Sequence, residues 1–185
     1  GTVTVTTGTV DLGGDGTLDG SASVAGTLDF TSGGAYTLAN GFSVTGAGTL
    51  RFSGATVTVG GTDAVTFDNL TQTAGTLNGT GTVTAPDLTW SGGTMTDAGT
   101  TRVTNTLTLD GLAKNLRSSR RLENAGTATW SAGDIRTGES ATFVNEATRT
   151  LDITGNTLTI SNWYGGTSIL DNAGTLERLT GTGIV

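Results

Sequence analysis

The stretch Asp87 to Asn105 reads DLTWSGGTMTDAGTTRVTN. It holds a short strand at Leu88, Thr89 and Trp90, a turn at Ser91-Gly92-Gly93 and a second strand around Met95. Gly99 then breaks the chain, and a third strand closes on Val103-Thr104-Asn105. Apolar and polar residues alternate with the period of two that marks a strand with one buried face. The glycines fall where tight bends need backbone angles that other residues resist. Three strands this short bury almost nothing by themselves, so the unit has to be one of many.

Working outward, weaker copies follow along most of the chain. An apolar residue, any residue and then Asn recurs at Leu38-Ala39-Asn40, Phe67-Asp68-Asn69, Val103-Thr104-Asn105, Leu122-Glu123-Asn124, Phe143-Val144-Asn145 and Ile160-Ser161-Asn162. Ala85-Pro86-Asp87 fits with Asp in place of Asn. From Asn69 onward the markers stand at positions 69, 87, 105, 124, 145 and 162, a nearly constant spacing. A second column, Phe52, Leu77, Trp90, Leu109, Trp130 and Ile153, sits just before the mid-unit glycines and reads as one inward stack. Leu122-Glu123-Asn124-Ala125-Gly126-Thr127 returns as Leu170-Asp171-Asn172-Ala173-Gly174-Thr175.

Stacking such units, each strand pairing in parallel with its counterpart in the next, is what buries their apolar sides. The expected fold is all-β: a right-handed parallel β-solenoid of roughly eight or nine coils, each of about 17–21 residues, the hand following from connection chirality. It spans residues 1–185 as one domain, read as a segment of a longer repetitive protein. Asn69, Asp87, Asn105, Asn124, Asn145 and Asn162 are expected at equivalent bends, their amides forming a ladder. Residues 1 to 37 and 41 to 64 follow the pattern less cleanly. The only stretch with a claim to helix, Leu112 to Arg121, is expected to replace a strand path.

Composition agrees with a thin, repetitive core. There are 31 Gly, 1 Pro, no Cys and no His, with 34% apolar residues, and roughly forty Thr. A net charge of -7 disfavours nucleic acid and anionic membranes as partners. No apolar run is long enough to span a bilayer, so no membrane insertion is expected. The absence of Cys excludes disulfides and thiolate chemistry.

Few residues are left to carry catalysis. Asp134 and Arg136 share a strand face, as in some polysaccharide-cleaving β-helices, but a surface ion pair is the plainer reading, and glycoside cleavage normally uses two placed carboxylates. Gly13 to Asp19 approaches a calcium-roll repeat but occurs once, where tandem copies are required. No cofactor is expected. Thr-x-Thr pairs at Thr56/Thr58, Thr82/Thr84, Thr94/Thr96, Thr106/Thr108, Thr127/Thr129 and Thr157/Thr159 invite an ice-binding reading, though their uneven spacing keeps them off a single face. Trp163 and Tyr164, with Tyr36, stand outside the apolar column and are candidates for a sugar platform. Lys114, Arg117, Arg120 and Arg121 form the one basic cluster, either a solvated coil edge or a seat for an anionic partner.

The turn Ser91 to Thr94, the Asn-Ala-Gly-Thr boxes at Asn124 and Asn172, and the Gly-Thr-Gly-Thr-Val run from Gly79 to Val83 resemble the repetitive stalks of large bacterial surface proteins, the β-helical passengers of autotransporter and filamentous-haemagglutinin-type adhesins. The resemblance implies a non-catalytic extracellular scaffold or adhesin segment at the cell surface, with a glycan or another surface protein as partner. A carbohydrate-binding or polysaccharide-cleaving β-helix is the alternative, and an ice-binding solenoid a further one. The alternating, uncharged runs at residues 2–6 and 180–185 leave strand edges open, so end-to-end association with further coils is expected.

Overall fold

The computed structural model describes residues 1–181; the last part of the closing run, 182–185, lies outside the described residues. The described chain is all strand and turn. The first coil sets the pattern: Thr2–Val5, Thr9–Leu12 and Gly16–Leu18 begin three faces. Each strand pairs in parallel with its counterpart one coil on, Thr2 with Ser21, Thr9 with Thr27 and Gly16 with Tyr36. The third face is an 8-stranded sheet, and the first two are joined into a 16-stranded sheet. Two long strands join them, Thr82–Trp90 and Thr100–Leu109, which run through the corner between those faces. The chain is a parallel β-solenoid. The stretch Leu112 to Arg121, the one helical candidate, contributes the strand Lys114–Leu116 to the third face.

Coil length is less uniform than the markers suggest. Ala64 pairs with Thr82 and Thr82 with Thr100, two short coils of equal length. The coils from Thr100 to Arg121 and from Arg121 to Thr142 are longer. The coil from Asn145 to Asn172 is longer again, beyond the expected range. The extra residues sit at corners, where strand pairing does not constrain length.

The interior holds the aromatic column with one exchange. Down the second face Leu12, Phe30, Phe52, Gln72, Trp90, Leu109, Trp130 and Ile153 are successive register partners. Leu77 belongs instead to the third face, between Val57 and Met95, because it lies past the turn at Gly75. Its expected place is taken by Gln72, fully buried, whose Nε2 donates to the carbonyl of Thr94 at 3.1 Å. Trp130 does the same with its indole, donating to the Gly133 carbonyl at 2.8 Å. That carbonyl belongs to a turn that only glycine permits: φ is +70° at Gly133, and a Cβ there would lie 2.0 Å from the Leu112 oxygen.

The expected Asn ladder divides in two and loses one member. Asn124, Asn145 and Asn172 are register partners. Each amide donates to the next, Asn124 to Asn145 at 2.8 Å and Asn145 to Asn172 at 2.7 Å. Their column continues upward as Val103 and Ala85. Asn69 and Asp87 pair with each other one corner later, at the start of the second face. Asn105 is the extra residue of a bulge, since Ala85 pairs with Val103 but Asp87 with Thr106; its amide still reaches Asp87 at 2.8 Å. Asn162 is no part of this corner. It ends a third-face strand opposite Thr137.

Candidate functional site

The two aromatic residues at Trp163 and Tyr164 owe their position to a mismatch between neighbouring coils. Thr137 pairs with Asn162, and the Glu139 amide then donates to the Gly165 carbonyl at 2.8 Å. One coil thus crosses this corner with Gly138 alone, and the next with Trp163 and Tyr164. The inserted pair bulges out over the third face. Gly138 is what lets it seat: φ is +147°, and a Cβ there would meet the Gly165 oxygen at 2.7 Å and the Tyr164 Cβ at 2.8 Å.

The bulge is pinned on both sides. The Tyr164 amide donates to the Thr137 carbonyl at 3.1 Å, and its hydroxyl donates to Asn115 Oδ1 at 2.7 Å. The Arg117 guanidinium lies over the Tyr164 ring, 4.5 Å from its centroid. Arg117 also makes a two-pronged pair with Glu139 at 3.0 and 3.1 Å. The Ser118 hydroxyl, and then Arg117, hold the Glu139 carboxyl below the usual carboxylate range. Asn162 Nδ2 closes the loop by donating to the Gly166 carbonyl at 2.7 Å.

Trp163 is the exception in this packed corner. It remains 63% exposed, with one ring face on the Arg136 guanidinium at 4.4 Å and the other toward solvent. Arg136 does not pair with Asp134 as the sequence suggests. The Asp134 carboxylate turns to the next coil, accepting from the Thr159 amide at 3.0 Å and its hydroxyl at 3.1 Å. Arg136 therefore has its indole stack but no hydrogen bond or ion pair among the described residues.

The basic cluster does not form one edge. Alternation and a corner send its members to four different settings. Lys114 is fully buried, donating to the carbonyls of Leu112 at 3.0 Å and Ala132 at 2.9 Å; burial lowers its ammonium to about 8, against the pull of Asp110 and Asp134. Arg120 is also fully buried, donating to the Thr101 hydroxyl at 2.7 Å and the Gly79 carbonyl at 3.2 Å, and burial lowers it to about 10. Arg121 pairs with Glu123 on the first face, within a network that joins Arg102 to Glu123 and Glu146. Arg117 alone reaches the aromatic bulge. Sequence reasoning names Trp163, Tyr164 and Arg117 but misses Asn115, Gly138 and the stacking role of Arg136. Their link to the loop is set by coil register, which no local motif records.

Other candidates resolve into structure. In the Gly-rich turn, Asp15 accepts from the Ala35 amide at 2.8 Å and Asp19 Oδ1 from the Gly1 nitrogen at 2.9 Å. No group of three or more metal-ligating side chains occurs among the described residues. Nor, among them, is any helix long and apolar enough to cross a membrane. A cavity of about 310 Å³ near the last coils, lined by Trp130, Leu151, Ile153, Ile160, Leu170 and Leu176 with Thr159, is a continuation of the apolar interior. Tyr36 is core, edge-on to Phe30 at 4.8 Å. Neither a family model, nor a curated protein, nor a solved structure matches the chain.

Proposed function

We propose that this chain is a non-catalytic, extracellular scaffold, a stiff rod segment of a cell-surface adhesin that spaces and displays binding surfaces. The observation that carries this reading is the continuity of the stack. Strand follows strand in parallel register on the first two faces from Thr2–Val5 and Thr9–Leu12 to Ser168–Asn172 and Thr175–Arg178, and on the third from Gly16–Leu18 to Ile160–Asn162. A rod of this kind gains length by adding coils, each about 4.8 Å, without rebuilding a core. The residues best suited to chemistry support the same reading. Lys114 and Arg120 are tied to backbone carbonyls or hydroxyls inside the wall, and Asp134 to Thr159.

Deleting residues 82–99 tests it. Thr100 then takes the place of Thr82, its register partner, and the rod loses one whole coil. The expected product unfolds cooperatively and is shorter by about 5 Å in small-angle scattering. Loss of folding would count against a modular rod. Release of reducing ends from a polysaccharide panel, abolished by Asp134→Asn, would replace this reading with a polysaccharide-cleaving β-helix.

A further inference from the structure

We propose that Trp163 and Arg136 form a binding site for an acidic oligosaccharide, one sugar stacking on the open face of the Trp163 ring and the Arg136 guanidinium, behind the opposite face, taking past the indole edge the carboxylate or sulfate of the neighbouring sugar. The proposal rests on the reading of the rod as a display surface and names what one part of it displays. An exposed tryptophan forgoes the burial that indoles usually supply, and here the loop that carries it is pinned. Its loop is fixed by the Tyr164 hydroxyl on Asn115, the Tyr164 amide on Thr137 and the close approach over Gly138. A surface held in one conformation before the ligand arrives loses little entropy on binding.

Arg136 supplies the chemical preference. The chain carries a net charge of -7, and its other guanidinium groups, apart from Arg149, are engaged by carboxylates, carbonyls or a hydroxyl. Arg136 has no hydrogen-bonding or ionic partner for its N–H donors among the described residues, while the indole stack orients its guanidinium. A planar guanidinium with free donors recognises carboxylate or sulfate oxygens in pairs. The neighbours are polar, with Ser161 as the register partner of Arg136 and Asn115 on its other side. A protein interface would call for an apolar centre around the tryptophan; hydroxyls and amides suit a sugar.

The test uses the intact chain and its own fluorescence. Trp90 and Trp130 are fully buried, so the emission that changes with an external ligand belongs to Trp163. Three series of oligosaccharides are titrated: uronates, sulfated sugars and neutral glucans, each repeated by calorimetry. The expected result is binding of one or both acidic series, weakened by salt, and about tenfold weaker binding of the neutral one. Trp163→Ala should lose at least about tenfold for every sugar, and Arg136→Gln about tenfold for acidic sugars only. Both variants should melt with the parent, since neither side chain lies in the core. Gly138→Ala, which displaces the loop, should weaken binding although it touches no ligand. Absence of binding to both acidic series at millimolar concentration overturns the site, as does binding that survives both Trp163→Ala and Arg136→Gln. Failure of the coil deletion alone would remove the rod reading and leave these measurements standing.

Discussion

Two stretches of the same rod solve the same packing problem differently. Between Ala64 and Thr100 the coils are short and equal, and their interior is apolar but for Gln72. Beyond Thr100 the coils lengthen, and Thr101, Lys114, Arg120, Asn124, Thr137 and Asn145 are all buried. The polar side chains follow the corners. Backbone carbonyls left inward at corners and strand ends each need a donor. Lys114 serves Leu112 and Ala132, Asn124 serves Thr150, Asn145 serves Thr175 and Thr137 serves Ser161. Gln72 does the same from within the short coils, reaching the Thr94 carbonyl in the next coil. Length alone does not decide this: the coils from Ser21 to Ser43 and from Thr27 to Thr49 are as long as those after Thr100, yet Asp29 is the one buried polar side chain there among the described residues.

The largest effect should come from the feature both stretches share. Trp130→Ala removes a buried indole from the aromatic column together with its bond to Gly133, and should cost about 3–5 kcal/mol in urea unfolding. A cost under about 1 kcal/mol would mean that the late coils do not depend on the column.

Lys114 offers the sharpest probe of the polar stretch. Its folded value is about 8 and its ordinary value 10.5, so between these pH values the unfolded chain binds more protons than the folded one. Stability must therefore rise with pH through that window, by up to about 3 kcal/mol as the cost of burying the charge disappears. Lys114→Met should flatten the rise in a series of unfolding curves from pH 7 to 10.5. A rise that persists unchanged would assign it to other groups.

The two Asn sets give the next contrast. Asn145→Leu strips a buried amide from partners at Asn172, Thr175 and Asn124, and should cost about 1–3 kcal/mol. Asn69→Ala, whose amide meets the Gly46 and Gly48 carbonyls at 3.2 and 3.1 Å at a wetter corner, should cost under about 1 kcal/mol. Equal costs would dissolve the distinction between the columns.

The solenoid, its parallel stacking and most of its inward column are legible in the sequence because both depend on alternation and a repeated length. The ladder is legible only in part. Asn69 and Asn124 share a marker yet lie on opposite sides of a corner, and a bulge at Asn105 hides the change by restoring the spacing. Asn172 announces itself through the box it shares with Asn124, while the competing marker at Asn162 points to the wrong face. Charge is the poorest guide. Lys114 and Arg120 read as solvated from their composition, but alternation places Lys114 inward between Gly93 and Ile135. The Trp163 site depends on two residues facing one across a corner, which only register reveals.

The smallest effects belong to the outer threonines, and they bear on ice binding. The Thr-x-Thr pairs are divided among faces: Thr82 and Thr84 on the first, Thr106, Thr108, Thr127 and Thr129 on the second, Thr56, Thr58, Thr94 and Thr96 on the third. On the second face Thr71, Thr89, Thr108 and Thr129 do form a line of register partners. That line ends on Arg51 above and Asp152 below, and the neighbouring line passes through Asn69 and Asp87. Complete Thr-x-Thr rungs on this face therefore occur only at Thr106/Thr108 and Thr127/Thr129, between charged side chains that hold their own water. We expect no gap between melting and freezing points in nanolitre osmometry. Thr108→Val, at a half-buried position on the outer side of its strand, should change stability by no more than about 0.5 kcal/mol. A gap that appears in the parent and vanishes in a Thr108→Val, Thr129→Val double variant would show that this short hydroxyl lattice suffices to bind ice, and would move that function ahead of the rod.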